Sequence, residues 1–260
     1  MGALRKLRLP RYLVNILQDY LQLRTLTYNN RDGFLVTETV ERGVPQGSVL
    51  GPTLWILTYD AVLQAPIPSG CNTICYADDT LVLSTGLSWR EAVVKSELAV
   101  HIVVETIKSL GLTVATSKTE AVFFHNYTCK APQHMLLVGN TPVQTSPYIK
   151  YLGLTLDENW TFGTHFQSVV PKAVKAAISL GHLMPNIGGP VWKARKLYAT
   201  AVRSIILYGA PVWADELQHN RLALAEIRRF ERRLAVRVAR LYRTTATDAA
   251  CILAGLPPYT

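Results

Sequence analysis

The stretch NTICYADDTLVLSTG, residues 72–86, places two adjacent aspartates, Asp78 and Asp79, between two runs of apolar and β-branched residues. Runs of this composition favour strands, and the short polar break between them predicts a β-hairpin with the carboxylates at its tip. Two like charges side by side repel. They stand there either as a solvated turn or because together they hold something doubly positive. Magnesium suits the second reading, since it takes a few carboxylate oxygens and keeps several waters. A tight hairpin also fixes a carboxylate better than a long loop does.

Upstream of the aspartates, residues 11–23 repeat apolar side chains at helical spacing: Leu13, Leu17, Tyr20 and Leu21. TLTY, the polar tip NNRDG and FLVTETV then predict a hairpin turning at Gly33. GVPQGSVLGP, residues 43–52, is a turn-rich loop leading into a helix over TLWILTYDAVLQ, which Pro66 and Pro68 close off. Downstream, Ser88 and Glu91 form a capping-box pattern ahead of a helix with Ala92, Ala99, Ile102, Val103, Ile107 and Leu110 on its apolar side and Gly111 at its end. LTVA, SKTE and AVFF suggest strand, turn, strand, and YIKYLGLTL, 148–156, a further single strand. From about residue 162 the pattern turns helical, with helices predicted over 164–182, 192–208 and 219–243 and separators at Gly188–Pro190 and GAPVW, 209–213. The expected fold class is α+β, with residues 1–160 mixed and residues 161–260 all-α.

The charge balance narrows the class of partner. A net charge of +9 suits a polyanion, nucleic acid before anionic membrane. No apolar run reaches the ~18 residues of a membrane span or forms a signal-peptide core, so the chain is expected to be soluble and intracellular, in nucleus or cytoplasm. The last predicted helix carries Arg221, Arg228, Arg229, Arg232, Arg233, Arg237, Arg240 and Arg243 on one broad arc, balanced there only by Glu226 and Glu231. Arginine in excess of carboxylates is read as phosphate-contacting, with Arg228, Arg229 and Arg232 as the chosen candidates; a plain solvated face is the rival. The four cysteines form no CxxC pair. His125, Cys129 and His134 lie close in sequence, but no fourth ligand at zinc-site spacing follows, so they are read as ordinary loop and strand residues.

An Asp-Asp turn alone says little; its neighbours carry the reading. GVPQGSVLGP (43–52), YADD (76–79), GLTVATSKTE (111–120) and YLGLTL (151–156) occur in that order, and the set resembles motifs B, C, D and E of a reverse transcriptase palm. YLVNILQDYLQLR, ILYGAPVW and YRTTATDAACILAGLPP resemble the polymerases of non-LTR retrotransposons, above all the clade inserting into insect ribosomal DNA and telomeric repeats. The resemblance covers essentially the whole chain. It implies a partial polymerase palm, an antiparallel sheet with helices, followed by a basic helical thumb. It implies RNA-directed DNA synthesis on an RNA template from a DNA primer, with dNTPs and Mg2+. By resemblance Asp78 is the shared metal ligand and Asp79 the second acidic member, while Tyr76 and Ala77 complete the turn near the primer end. Gln46 and Gly47 help position template and nucleotide. Ser48 is either a ligand contact or the cap of the following helix. Lys118 either neutralises the leaving pyrophosphate or is an exposed turn lysine.

The resemblance also sets up a conflict. A two-metal polymerase uses a third aspartate, in motif A, at the end of a strand before motif B and a few residues ahead of an aromatic. Asp19, Asp32, Glu38, Glu41 and Asp60 all fail that description, so the magnesium site is expected to be incomplete and catalysis by this chain alone impaired. Loss of the motif A strand implies an exposed, unpaired sheet edge. Two rival readings stay open: a non-catalytic nucleic-acid-binding remnant, and a truncated copy with no role of its own. An RNA-dependent RNA polymerase fits less well, because those usually carry Gly-Asp-Asp where this chain has Ala77-Asp78-Asp79, and the thumb-region resemblance is to retroelements.

Overall fold

The computed structural model describes residues 9–40, 43–44, 47–125, 133–185, 187 and 189–257. Helix and strand are mixed, as the sequence predicts, and the chain divides into two compact units. The first comprises residues 1–119 and 135–143, the second 120–134 and 144–260.

In the first unit, α1 (Arg11–Leu21) precedes the hairpin of β1 (Thr25–Asn29) and β2 (Leu35–Thr39), paired antiparallel with Tyr28 opposite Val36. Asn30 organises the tip: its side-chain oxygen accepts from the backbone N–H groups of Asp32 and Phe34. Helix α2 (Gly51–Leu63) follows, then the hairpin of β3 (Cys71–Tyr76) and β4 (Asp79–Ser84), then α3 (Trp89–Ser109). Ser88 caps α3 by accepting from the Glu91 N–H. The reciprocal bond departs from the capping box, because the Glu91 carboxylate accepts from Leu87 N–H, one residue upstream of the cap. Helices α2 and α3 share a small core of Tyr59, Val62, Val103 and Ile107, against which Cys75 and Val82 of the hairpin pack. Beyond α3 lie a 3₁₀ turn at Thr116–Lys118 and β6 (Met135–Val138), while β5 (Ala121–Val122) belongs to the second unit and β7 (Thr141–Ser146) runs from the first unit into the second. LTVA (112–115) is therefore not a strand; Leu112 and Val114 fold against the α2–α3 core instead. The end of β7 pairs with β5 in parallel, Ala121 opposite Thr145, so the sheets are not wholly antiparallel.

The second unit holds the larger core. YIKYLGLTL is not one strand but a hairpin, β8 (Tyr148–Tyr151) and β9 (Leu154–Asp157), because Leu152 and Gly153 both take positive φ and turn the chain in two residues. Five helices follow: α4 (Gly163–Gly181), α5 (Trp192–Leu207), α6 (Ala210–Leu217), α7 (Arg221–Val238) and α8 (Thr247–Ala254). GAPVW does not separate helices; it begins α6. Pro211 sits in the first turn, where its missing N–H costs nothing. Gly209 reaches φ +70, and any Cβ there would meet Leu154 at 2.6 Å. The predicted helix over 219–243 stops at Val238, with Arg240 at φ +57, so Arg240 and Arg243 lie beyond it.

Asp157 starts this packing. Its buried carboxylate accepts from the N–H groups of Asn159 and Thr161 and steers the chain into α4. Edge-to-face aromatics then run from Phe124 through Trp160, Phe162, His165 and Phe166 to Trp213. His165 is 1% exposed. Its Nδ1 accepts from Thr155 N–H at 3.3 Å, so the ring carries its proton on Nε2. Burial, and then the charge of Lys172, push its pKa below 6.5.

A histidine that stays neutral when folded gives stability that is full above the unfolded pKa and lost as the pH falls below it. Denaturant midpoints of the second unit should therefore drop as the pH falls below 6.5. His165→Asn should lower stability at every pH but flatten that dependence between about pH 7.5 and 5.5. An unchanged slope in the variant would mean other groups set it.

Candidate active site

The aspartate hairpin forms as the sequence predicts, and its turn is as short as a hairpin allows. Tyr76 pairs with Asp79, leaving Ala77 and Asp78 as the two turn residues. Tyr76, Ala77, Asp78 and Asp79 are all exposed. Ala77 carries φ +53, a region that costs an L-residue roughly 1–2 kcal/mol. The turn is held from below by α2. The Trp55 indole N–H donates to the Ala77 carbonyl at 2.9 Å, and the hydroxyls of Tyr59 and Thr80 lie 2.6 Å apart in a hydrogen bond. Burial pushes the Tyr59 pKa upward; among its lesser causes, the Thr80 bond opposes this and the charge of Asp78 adds to it.

Sequence reasoning missed Trp55, Tyr59 and Thr80. The signal was present: Trp55 and Tyr59 are four residues apart on a predicted helix, the spacing of one face.

The loop before α2 contributes less geometry. Gln46 lies outside the described residues. Gly47 has φ +85 with open space where a Cβ would stand, so its backbone angle, not a crowded neighbour, requires glycine. Ser48 acts structurally, its Oγ accepting from Gly51 N–H at the start of α2. Arg24 secures the loop from the other side by donating to the Gly43 carbonyl at 2.7 Å. Lys118 is exposed at the end of the 3₁₀ turn. Cys129, which the sequence sets near His125 and His134, lies outside the described residues.

The residues fit a magnesium ion only in part. Among the described residues no three or more His, Cys, Asp or Glu side chains gather as metal ligands. Asp78 and Asp79 alone suit one hydrated ion that completes its shell with water or phosphate oxygens. A two-metal centre needs more. Of the carboxylates considered upstream, Asp19 and Asp60 lie on helices, Asp32 at a hairpin tip, and Glu38 accepts from the Tyr28 hydroxyl. Glu41 lies outside the described residues.

The arginines of the second unit divide by use. Arg232 donates to the carbonyls of Arg243 and Thr245, Arg237 to that of Gly181, and Arg240 to those of Gly189 and Pro190. Arg228, Arg229 and Arg233 are exposed. Arg229 and Arg233 rim a cleft of about 480 Å³ between α4 and α7, floored by Val170, Val174 and Phe230, with Lys175 at its edge. Arg232, Arg233, Arg237 and Arg243 line a second cleft of about 620 Å³.

Sequence comparison gives this geometry its family. Residues 2–156 match the family described as reverse transcriptase (RNA-dependent DNA polymerase), and the chain belongs to it. The 115 kDa protein in the type-1 retrotransposable element R1DM of Drosophila melanogaster is 30% identical over 84% of this chain and 21% of its own length. The retrovirus-related Pol polyprotein from the type-1 retrotransposable element R1 of Nasonia vitripennis is 25% identical over 83% of this chain and 65% of its own. The RNA-directed DNA polymerase from the mobile element jockey of Drosophila melanogaster is 28% identical over 62% of this chain and 18% of its own. The chain thus spans less than two thirds of each of these relatives. No solved structure matches it. No described helix is long and apolar enough to cross a membrane.

The strained turn residue gives a direct check on the hairpin. Ala77→Gly should keep the hairpin and raise stability by up to ~1 kcal/mol, since glycine enters the left-handed region freely. Ala77→Val should lower it by about 1–3 kcal/mol, because a β-branched residue fits that region worst. Urea denaturation of the three proteins measures both, and an Ala77→Val protein as stable as the parent would show the turn is not formed this way.

Proposed function

We propose that the chain is the palm and thumb portion of a non-LTR retrotransposon reverse transcriptase, residues 1–160 forming partial palm and 161–260 the basic thumb. The observation that carries this reading is the YADD sequence on a two-residue turn, in a chain of the reverse transcriptase family with the other palm motifs in order. The parent reaction is RNA-directed DNA synthesis, in which a primer 3′-hydroxyl attacks a dNTP on an RNA template. In this reading Asp78 and Asp79 hold magnesium, which when bound acidifies the hydroxyl and neutralises the leaving pyrophosphate. Gln46 and Gly47 line the template and nucleotide, Tyr76 and Ala77 lie by the primer end, and Lys118 offers its ammonium to the pyrophosphate. Arg228 and Arg229 contact phosphates as free guanidiniums. Arg232 supports them, its own fork already committed to two carbonyls.

The carboxylate still needed for two metals is supplied in this reading by a further polymerase segment. A second reading has support in the lack of a third acidic ligand among the described residues. It makes the chain a nucleic-acid-binding remnant without chemistry.

Primer extension separates them. The 260 residues alone should bind primer–template without extending it. Joined to an upstream polymerase segment from a relative, they should extend the primer with Mg2+ and dNTPs, and Asp78→Asn should cut that rate at least ~100-fold. Extension that survives Asp78→Asn, or never appears in the joined protein, favours the remnant. Arg228→Ala should weaken binding across sequences and reduce the slope of log affinity against log salt by about one. An unchanged slope would remove Arg228 from the phosphate contacts.

A further inference from the structure

We infer that Trp55, seconded by Tyr59, is a positioning residue for the Asp78 and Asp79 carboxylates. This inference rests on the proposed metal-holding role of those carboxylates. It starts from a mechanical difficulty. An exposed two-residue turn with an L-residue at φ +53 has little to keep it in one shape, and fraying at such a tip would scatter both carboxylates. The geometry of α2 answers that difficulty at both ends of the pair.

The Trp55 indole N–H meets the Ala77 carbonyl at 2.9 Å. That carbonyl belongs to the planar peptide joining Ala77 to Asp78, so holding its oxygen sets the plane from which Asp78 departs. The indole nitrogen has one N–H, which goes to that carbonyl, so it occupies neither carboxylate. On the far side, the Tyr59 hydroxyl meets Thr80 Oγ1 at 2.6 Å and fixes the residue that follows Asp79. The two aspartates are thus bracketed, one anchor just before Asp78 and one just after Asp79.

The anchors behave as one body. Trp55 and Tyr59 are one helical turn apart, and their rings stack at 5.1 Å with 15° between planes. Tyr59 is buried in the core with Val62, Val103 and Ile107, so the pair is tied to that core. The carboxylates stay in solvent while the backbone beneath them is held. A metal-holding pair needs that combination, and a merely solvated turn does not.

The test is Mn2+ binding by the 260-residue chain, read from the free-ion electron paramagnetic resonance signal. Unmodified protein, Trp55→Phe, Tyr59→Phe and Asp78→Asn are compared, each checked by circular dichroism. Trp55→Phe retains an aromatic ring beside Tyr59 and loses only the N–H donor, so affinity should fall roughly fivefold, the worth of one neutral hydrogen bond. Tyr59→Phe should lower it in the same direction, and Asp78→Asn should abolish binding. In 15N-labelled unmodified protein, Mg2+ should shift the Trp55 indole N–H resonance, and Asp78→Asn should erase that shift. A folded Trp55→Phe protein with unchanged Mn2+ affinity and a lower melting temperature would reduce Trp55 to a structural role and overturn the inference. Failure of the unmodified chain to bind Mn2+ would instead remove the metal-holding reading, and the positioning role with it.

Discussion

The pairing of Tyr76 with Asp79 leaves two residues to reverse the chain, and much of the first unit follows from that constraint. A two-residue turn puts Ala77 into the left-handed region, which an L-residue enters at a cost. The cost is offset from outside the hairpin by the indole of α2. Helix α2 is held against the turn because the face that carries Trp55 and Tyr59 is also packed in the core it shares with α3. Its start is fixed in turn by Ser48 and its preceding loop by Arg24. The hairpin tip, the glycine loop and the helix between them are therefore consequences of one arrangement, and a change in α2 should be felt at the aspartates before it is felt elsewhere.

The second unit solves a different problem with its charge. Arg195 is almost wholly buried yet has no carboxylate partner among the described residues; its guanidinium donates to the carbonyls of Pro185, Pro190 and Arg237. Arg237 and Arg240 do the same for Gly181, Gly189 and Pro190. Arginine suits this use because its planar fork satisfies several acceptors at once and stays charged under burial. Between α4 and α5 these side chains supply donors to the carbonyls of Pro185, Gly189 and Pro190. An arginine on α7 is thus not by that fact a phosphate ligand. Only where the fork is unspent, as at Arg228 and Arg229, does the excess of charge remain available to a polyanion.

That division marks where the sequence was legible. Elements defined by local chemistry were read correctly: the NNRDG tip, the Ser88 cap, the aspartate hairpin and the helical periods. Elements defined by a backbone angle at an unexpected residue were not. Leu152 takes positive φ beside Gly153 and splits one predicted strand into two. Arg240 does the same and shortens the last long helix. GAPVW predicts a break because it holds Gly and Pro, yet Gly at the approach and Pro in the first turn are also how helices begin. The hairpin of β6 and β7 gave no strong alternation and went unread. At the site, charges drew notice and the aromatics supporting them did not, since an aromatic on an apolar helix resembles any core residue until its partner is known.

Among the described residues no third carboxylate joins Asp78 and Asp79. At an effective dielectric of about 20, a unit charge pair at ~4 Å is worth on the order of 4 kcal/mol, so a third aspartate would bind metal far better than two alone. Asp78 and Asp79 nevertheless sit on a turn whose backbone is anchored on both sides. Anchoring of that kind has no evident use for a solvated turn, where a frayed tip would serve equally well. It has a use where the two side chains must meet a third group arriving from elsewhere, because a preformed half-site lowers the ordering cost of completing the whole. Under the proposed function the hairpin would be half of such a site, and its support from α2 holds the backbone of that half in place.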